Sequence, residues 1–247
     1  MSMSMLIAQS KVEMLRMSRN VYFVFWSLMI PVAFYVLYTR IFDTGTSDAE
    51  AWNAHYLMSM TCFSIMGSSI MTLGIRLVQE RAHGWSTFLQ VTPLPGSIYF
   101  AGKMVGQTAI HLCSIVIIFT AGYLINGVEL TASQWIGSAL WILAGSLPFL
   151  ALGTCIGTFR RVDTASGLSN MLYLALALLG GMWMPLDVMP EWLARIGSWL
   201  PSNSFGNGAW NIAAGQAPAL RDILILAAYL AGFMLLSTYI RRKQKEA

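Results

Sequence analysis

The feature that most constrains this chain is a series of long intervals that contain no acidic or basic side chain other than histidine. A helix needs about 20 predominantly apolar residues to cross the hydrocarbon core of a bilayer. Six intervals meet that requirement, and each is predicted to be a membrane-spanning helix. They are Asn20–Thr39, Ala51–Ile75, Met104–Val128, Leu130–Phe159, Thr164–Leu186 and Ile223–Ile240. A membrane barrel would show alternating segments of about ten residues instead, so the pattern predicts an all-α membrane protein.

The composition leads to the same class. Charged residues make up only 11% of the 247 residues, and hydrophobic residues make up 56%. A soluble domain carries about 25% charged residues. These values exclude a soluble enzyme, a secreted disulfide scaffold and a disordered protein. We predict a single transmembrane domain over residues 1–247.

The positions of the basic residues predict the orientation. Lysine and arginine next to membrane spans are retained on the cytoplasmic side. With the N-terminus inside, 12 of the 15 basic residues fall in cytoplasmic segments, and only Arg40, Arg195 and Arg221 fall outside. Both termini are therefore predicted to be cytoplasmic, and residues 241–247 form a basic cytoplasmic tail. The expected location is the cytoplasmic (inner) membrane of a bacterium, crossed several times.

The N-terminal segment, residues 1–19, is predicted to be an amphipathic helix. Met5, Ala8, Val12 and Leu15 recur at spacings of three and four, which places them on one helical face. Such a helix would lie on the cytoplasmic surface of the membrane. The alternative is a frayed tail that only sets the topology.

A longer segment, residues 76–103, separates the second and third predicted spans. Trp85, Phe88 and Leu89 stand at i, i+3 and i+4 and form one apolar face on a short helix that Pro93 must end. A plain connection needs only a few residues. The segment is therefore either an interfacial helix that anchors two spans or a docking element for a cytoplasmic protein.

Residues 187–215, between the last two predicted spans, form a third non-spanning segment. A face shared by Trp192 and Trp199 predicts a short helix that Pro201 ends. A second short helix is expected around residues 205–214. Together they would form either an external re-entrant helical hairpin or a belt of interfacial anchors.

The run from Glu80 to Lys103 resembles the first cytoplasmic loop of type-2 ABC exporter permeases. Its pattern is an acidic–basic pair, a glycine, a short apolar helix, Thr-Pro, and then Gly-Lys at the entry of the next span. Residues 180–201, rich in tryptophan and proline, resemble the outer hairpin of the same family. The predicted spans, the amphipathic N-terminus and the basic tail also agree, so the resemblance covers nearly the whole chain.

The resemblance to this family implies a permease subunit that moves a hydrophobic or amphiphilic substrate out of the cell. Such a substrate would be a drug, an antibiotic or a lipid-like molecule. The chain has no GxxxxGK[ST] motif, so it lacks the loop that cradles nucleotide phosphates. ATP and Mg²⁺ would therefore be bound by two copies of a separate cytoplasmic ATPase, and this chain would hold no cofactor and no metal. A second permease copy, in a homodimer or a heterodimer, and membrane lipids are the other implied partners; nucleic acid is not.

The resemblance also implies which residues act. Those that engage the ATPase would be Glu80, Arg81, Gly84, Trp85, Phe88, Leu89, Thr92 and Pro93. An external gate would contain Trp183, Pro185, Pro190, Trp192 and Trp199. His111 has two interpretations: a neutral histidine bonded to a neighbouring helix, or a contact in the substrate path.

Other functions stay open on the residues alone. A non-transporting membrane sensor could dock a signalling partner on the same cytoplasmic loop. An intramembrane enzyme acting on lipids would need a catalytic cluster, which the sequence does not contain. Gly153 and Gly157 form a GxxxG pattern, which serves packing either between two chains or within one.

Overall fold

The computed structural model describes residues 2–19, 21–41, 49–85, 91–92 and 94–246, which form helices and loops and contain no strand. The helices before the middle of the chain are α1 (Ser2–Ser18), α2 (Val21–Ile41), α3 (Ala49–Gly67), a π-helical turn (Ser68–Thr72), α4 (Leu73–Ala82) and α5 (Gly96–Asn126). Those that follow are α6 (Ala132–Gly145), α7 (Leu147–Ile156), α8 (Val162–Leu179), a 3₁₀ turn (Leu186–Val188), α9 (Glu191–Gly197), α10 (Pro201–Ala213) and α11 (Leu220–Glu246).

Within the described residues, five helical segments are long and apolar enough to cross a membrane. They are Ala49–Ala82, Gly96–Asn126, Ala132–Ile156, Val162–Leu179 and Leu220–Gln244. They match the second to sixth predicted spans. The first predicted span coincides with α2, whose described apolar part is Met29–Ile41, and its crossing of the membrane stays a prediction.

Two predicted spans differ in detail from the observed helices. The second continues through the π-helical turn to Ala82 as one segment of 34 residues, and α5 begins at Gly96, so only residues 83–95 connect them. The fourth breaks at Ser146, and Pro148 lies in the first turn of α7, where its missing N–H costs no hydrogen bond. The fourth predicted span is therefore divided between α6 and α7.

The segment formed by α3, the π-helical turn and α4 lies at the centre of the bundle. Its apolar stretch is 61% buried and that of the neighbouring α6–α7 segment is 67% buried, against 17% for α8 and 17% for α11. Leu57, Met60 and Ile65 on α3 are fully enclosed by neighbouring helices. The outward faces of α8 and α11 are apolar, which suits contact with lipid or with another membrane chain.

The small residues of α7 allow close packing within this chain. A Cβ on Gly153 would collide with the backbone carbonyl of Ser69, in the π-helical turn, and one on Gly157 would meet the side chain of Leu77. The GxxxG pattern is thus occupied by intrachain contacts with α4 and the π-helical turn.

Candidate functional site

A buried cluster of ionic side chains joins α1, α4 and α5 at one end of the bundle. Lys103 on α5 is 1% exposed, and its Nζ lies 2.9 Å from Glu13 Oε1 and 2.6 Å from Glu80 Oε1. Arg16 Nη1 lies 2.6 Å from the same Glu80 oxygen. The Tyr99 hydroxyl donates a hydrogen bond to Glu80 Oε2. We call this group, with Arg76, the ionic cluster.

Arg76 completes the cluster from α4, with Nη1 3.8 Å from Glu13 Oε2. Two carboxylates, Glu13 and Glu80, therefore face three cations. Burial of a charge is costly unless it is paired, so each member depends on its partners remaining in place. The cluster joins α1 to α4 and α5, although Glu13 and Lys103 are 90 residues apart in the chain.

Helix α1 faces the bundle with its polar side. Glu13 is buried, whereas Val12 and Leu15, two residues of the predicted apolar stripe, are exposed. Gly102 on α5 lets α1 approach closely, because a Cβ there would collide with the Gln9 side chain. The exposed Val12 and Leu15 side chains of α1 suit contact with a membrane surface, as the amphipathic pattern predicts.

The predicted coupling pair, Glu80 and Arg81, is engaged inside the chain. Glu80 is 5% exposed. Arg81 donates from Nη1 to the Thr158 carbonyl at 3.0 Å and from Nη2 to the Gly157 carbonyl at 2.9 Å. These bonds fasten α4 to the turn between α7 and α8. Contact of this pair with an ATPase stays a prediction.

The remaining coupling residues follow the end of α4. Gly84 has φ +72°, a left-handed conformation that glycine adopts without strain. Trp85 is 40% exposed, and Thr92, at the other side of the loop, is half-buried. The other three, Phe88, Leu89 and Pro93, lie outside the described residues, so the apolar face predicted for this helix stays a prediction.

The loop that follows α8 is attached to the centre of the bundle. Tyr56 on α3 donates its hydroxyl proton to the Trp183 carbonyl at 2.9 Å. The Trp183 ring stacks on Phe34 with centroids 5.9 Å apart. Pro185 then leads into the 3₁₀ turn. The first predicted gate residue, Trp183, thus lies against α2 and α3.

The other predicted gate residues border α9. Pro190 precedes the helix, and Trp192 and Trp199 are 66% and 62% exposed. The Arg221 guanidinium lies 4.9 Å from the Trp199 ring centroid. Exposed tryptophans of this kind suit the interface between membrane and water. The structure therefore places the five gate residues in two groups, one packed and one exposed.

Helix α10 differs from its prediction. It begins at Pro201, four residues before the expected start, and α9 already ends at Gly197. Pro201 is tolerated as the first residue of a helix because the N–H it lacks would be unpaired there. Phe205 and Ala209 are fully buried, and α10 packs against α3, α6 and α11. Its re-entrant character stays a prediction.

His111 lies in a buried polar group beside the π-helical turn. Its Nε2 is 3.3 Å from Ser69 Oγ and 3.3 Å from Gln107 Nε2. Gln107 also donates to Ser68 Oγ at 2.6 Å. These contacts supply the partners that the hydrogen-bonded interpretation requires. A role for His111 in a substrate path stays a prediction.

Neither the residue spacing nor the family resemblance predicted Glu13, Tyr99 or Gln107 as site residues. Lys103 was noted only as part of the Gly-Lys pattern. The available signal was a lysine in the second turn of a long apolar helix, since a charge there requires a buried partner. The identity of that partner could not be read from spacing, because Glu13 is 90 residues from Lys103.

These features define a helical, multi-pass membrane protein. The family model described as ABC-2 family transporter protein matches residues 40–239. The chain is 57% identical over 243 residues to a protein of Bacillus subtilis (strain 168) named "Putative transport permease YvfS", a match that covers 98% of this chain and 99% of that protein. The chain belongs to the ABC-2 transporter family, which confirms the resemblance and makes it an ABC transporter permease. Membership of this permease family indicates a transport subunit rather than an enzyme, and it implies an ABC ATPase as partner.

Proposed function

We propose that the chain is the membrane subunit of an ATP-driven exporter of hydrophobic or amphiphilic molecules, acting in the cytoplasmic membrane of a bacterium. Two permease copies, or one copy and a related chain, would enclose the path between them. Two cytoplasmic ATPase subunits would bind ATP and Mg²⁺ and drive alternating access. The observation that carries this proposal is the ionic cluster, because it joins α1 to α4 and α5 beside the loop expected to dock the ATPase.

The cluster offers a mechanical route from that loop into the bundle. Residues 83–95 follow α4 directly, and Glu80 in the last turn of α4 forms ion pairs with Lys103 and Arg16. Movement of the loop would therefore be transmitted to α1 and α5 through ion pairs rather than through the connecting backbone. We infer that Glu80 acts from inside the subunit, while Trp85 contacts the ATPase. The bundle is the two-state element that ATP binding biases.

Apolar space in the bundle supports a hydrophobic or amphiphilic substrate. A cavity of about 310 Å³ lies between α5, α7 and α11. Its walls include Phe100, Met104, Leu150 and Leu230, with the hydroxyl of Thr154 among its few polar groups. Pockets for small molecules are mostly apolar with a small number of polar groups.

The outer hairpin is the proposed gate. Trp183, held against α2 and α3, and the nearby Pro185 would form its fixed side. The exposed Pro190, Trp192 and Trp199 would form its movable side. His111 would respond to opening and closing of the substrate path through its contact with Ser69 in the π-helical turn. Such turns often occur at functional sites.

The test begins with purification of the tagged full-length chain from its own host. A co-purified P-loop ATPase and ATP-dependent movement of an NBD-labelled phospholipid or of ethidium in inside-out vesicles are expected. Trp85→Ala should lower both transport and transport-stimulated hydrolysis while leaving membrane insertion intact. Tyr239→Ala, an exposed aromatic residue on α11, is the matched control.

Two results would contradict the proposal. One is the absence of an ATPase together with no ATP-dependent movement of either probe. The other is co-purification of a kinase or a regulator, which would favour the membrane-sensor alternative. Equal coupling in the Trp85→Ala variant and the control would remove the docking role of Trp85 alone.

A further inference from the structure

A pocket of about 440 Å³ lies at the end of the bundle where α7 ends, α8 begins and the last turns of α11 pass by. Arg160 and Arg161 line one part of it. Phe159 and Ile240 line another part, and Thr164 and Gln244 complete the rim. The pocket thus combines two cationic side chains with an apolar wall.

The turn that carries the arginines is held in place from two sides. The Thr158 carbonyl accepts a hydrogen bond from Arg81 Nη1 at 3.0 Å and another from Gln244 Nε2 at 2.9 Å. The first comes from α4 and the second from α11. Because both bonds converge on one carbonyl, the pocket is a built part of the fold rather than a gap beside a loose loop.

Positive charge dominates around the pocket. None of the described lining residues carries a carboxylate. The nearest acidic partner recorded for the two arginines is Asp163, whose Oδ2 lies 3.7 Å from Arg161 Nη2, with both side chains more than three-quarters exposed. An exposed pair of this kind contributes little. Arg242 and Lys243, exposed on the same end of α11, add to the field.

We propose that this pocket binds an anionic phospholipid, with the headgroup phosphate at Arg160 and Arg161 and an acyl chain against Phe159 and Ile240. Guanidinium groups match phosphate oxygens in geometry and charge. Basic residues beside membrane helices attract anionic lipids, and the ends of three membrane helices place this pocket at headgroup level. The bound lipid would bridge the α7–α8 turn and α11. This site is separate from the transport path and does not depend on what is transported.

The test is native mass spectrometry of the purified full-length chain in detergent, titrated with phosphatidylglycerol or phosphatidylcholine. The wild-type chain should retain one phosphatidylglycerol in preference to phosphatidylcholine. The double variant R160Q/R161Q should bind that lipid about tenfold more weakly, since each basic residue near the surface contributes substantially to anionic-lipid attraction. The control K11Q/R19Q removes two exposed charges from the N-terminal segment and should bind as the wild type does.

A second variant tests the space in the pocket without changing its charge. Thr164→Trp fills the rim without changing the net charge and should also displace the lipid. Glycerophosphoglycerol, which is phosphatidylglycerol without its acyl chains, should compete poorly because it cannot contact the apolar wall. Wild-type lipid retention by R160Q/R161Q, or an equal loss in the K11Q/R19Q control, would overturn the proposal. Unchanged retention combined with loss of ATPase association would assign the arginines to a protein partner and would overturn it as well.

Discussion

Lys103 Nζ lies 2.6 Å from Glu80 Oε1, and the exposed fractions of the two side chains are 1% and 5%. The two residues stand on different helices, α5 and α4, 23 positions apart in the chain. Glu80 also accepts a hydrogen bond from Arg16 on α1. This one carboxylate on α4 is therefore paired with cations on two other helices, α1 and α5. A buried pair of this kind is costly to break, because removal of one partner leaves the other charged and unpaired.

Loss of the buried lysine should destabilise the bundle. Lys103→Met leaves Glu13 and Glu80 without their common cation, and we expect the free energy of unfolding to fall by about 3 to 5 kcal/mol. The measurement is thermal unfolding in detergent. Lys11→Met, which removes an exposed lysine of α1, is the control. Adding Glu80→Gln to Lys103→Met should recover part of the loss. A Lys103→Met transition temperature equal to that of the control would refute the structural role of the cluster.

Packing at Gly153 makes a second prediction. Gly153→Ala forces a methyl group against the Ser69 carbonyl, which cannot move aside as a side chain can, and overpacking of this kind costs about 1 to 3 kcal/mol. Gly232→Ala on α11 meets no atom within 4 Å and should be neutral or stabilising by up to about 1 kcal/mol. Both are measured by thermal unfolding in detergent. Equal shifts in the two variants would mean that the contact of α7 with the π-helical turn is looser than described.

The attachment of the outer loop can be tested at Tyr56. Tyr56→Phe removes the hydrogen bond to the Trp183 carbonyl, worth about 1 kcal/mol, and keeps the ring. Amide hydrogen exchange in residues 180–190 should become faster, with the core of α5 unchanged. Tyr123→Phe, at a tyrosine that is 59% exposed, provides the comparison. If exchange in the loop is unaffected, the loop is held by the stacking of Trp183 alone.

The orientation and the first span can be examined with single cysteines. The three native cysteines, none of which is in a disulfide, are replaced by alanine, and one cysteine is introduced at Lys11, Arg161 or Trp192. A membrane-impermeant maleimide should label only the Trp192→Cys variant in intact cells and should reach the other two after lysis. Labelling of Lys11→Cys from outside, with Arg161→Cys still protected, would show that the first predicted span does not cross.

Much of the fold could be predicted because an apolar run of 20 residues has few alternatives in a bilayer. The second to sixth spans followed from the charge-free intervals, whereas the division of the fourth into α6 and α7 is seen only in the structure. The family followed from the Glu80–Lys103 pattern together with the outer hairpin. The start of α10 was placed too late, because Pro201 was interpreted as the end of a helix, whereas it is the first residue of α10 and the preceding helix already ends at Gly197.

The length of the apolar runs and the spacing of the charges are sufficient to define the class of protein and its family. The same two properties predict which side of the membrane the basic residues occupy. The contacts of the few charged side chains are seen only in the tertiary structure. Glu80 turns inward to Lys103 and Arg16, and α1 buries Glu13 while exposing Val12. Helical periodicity shows which side chains share a face, but the partner of that face is set by packing between segments distant in sequence, where a buried charge is stable only beside its opposite.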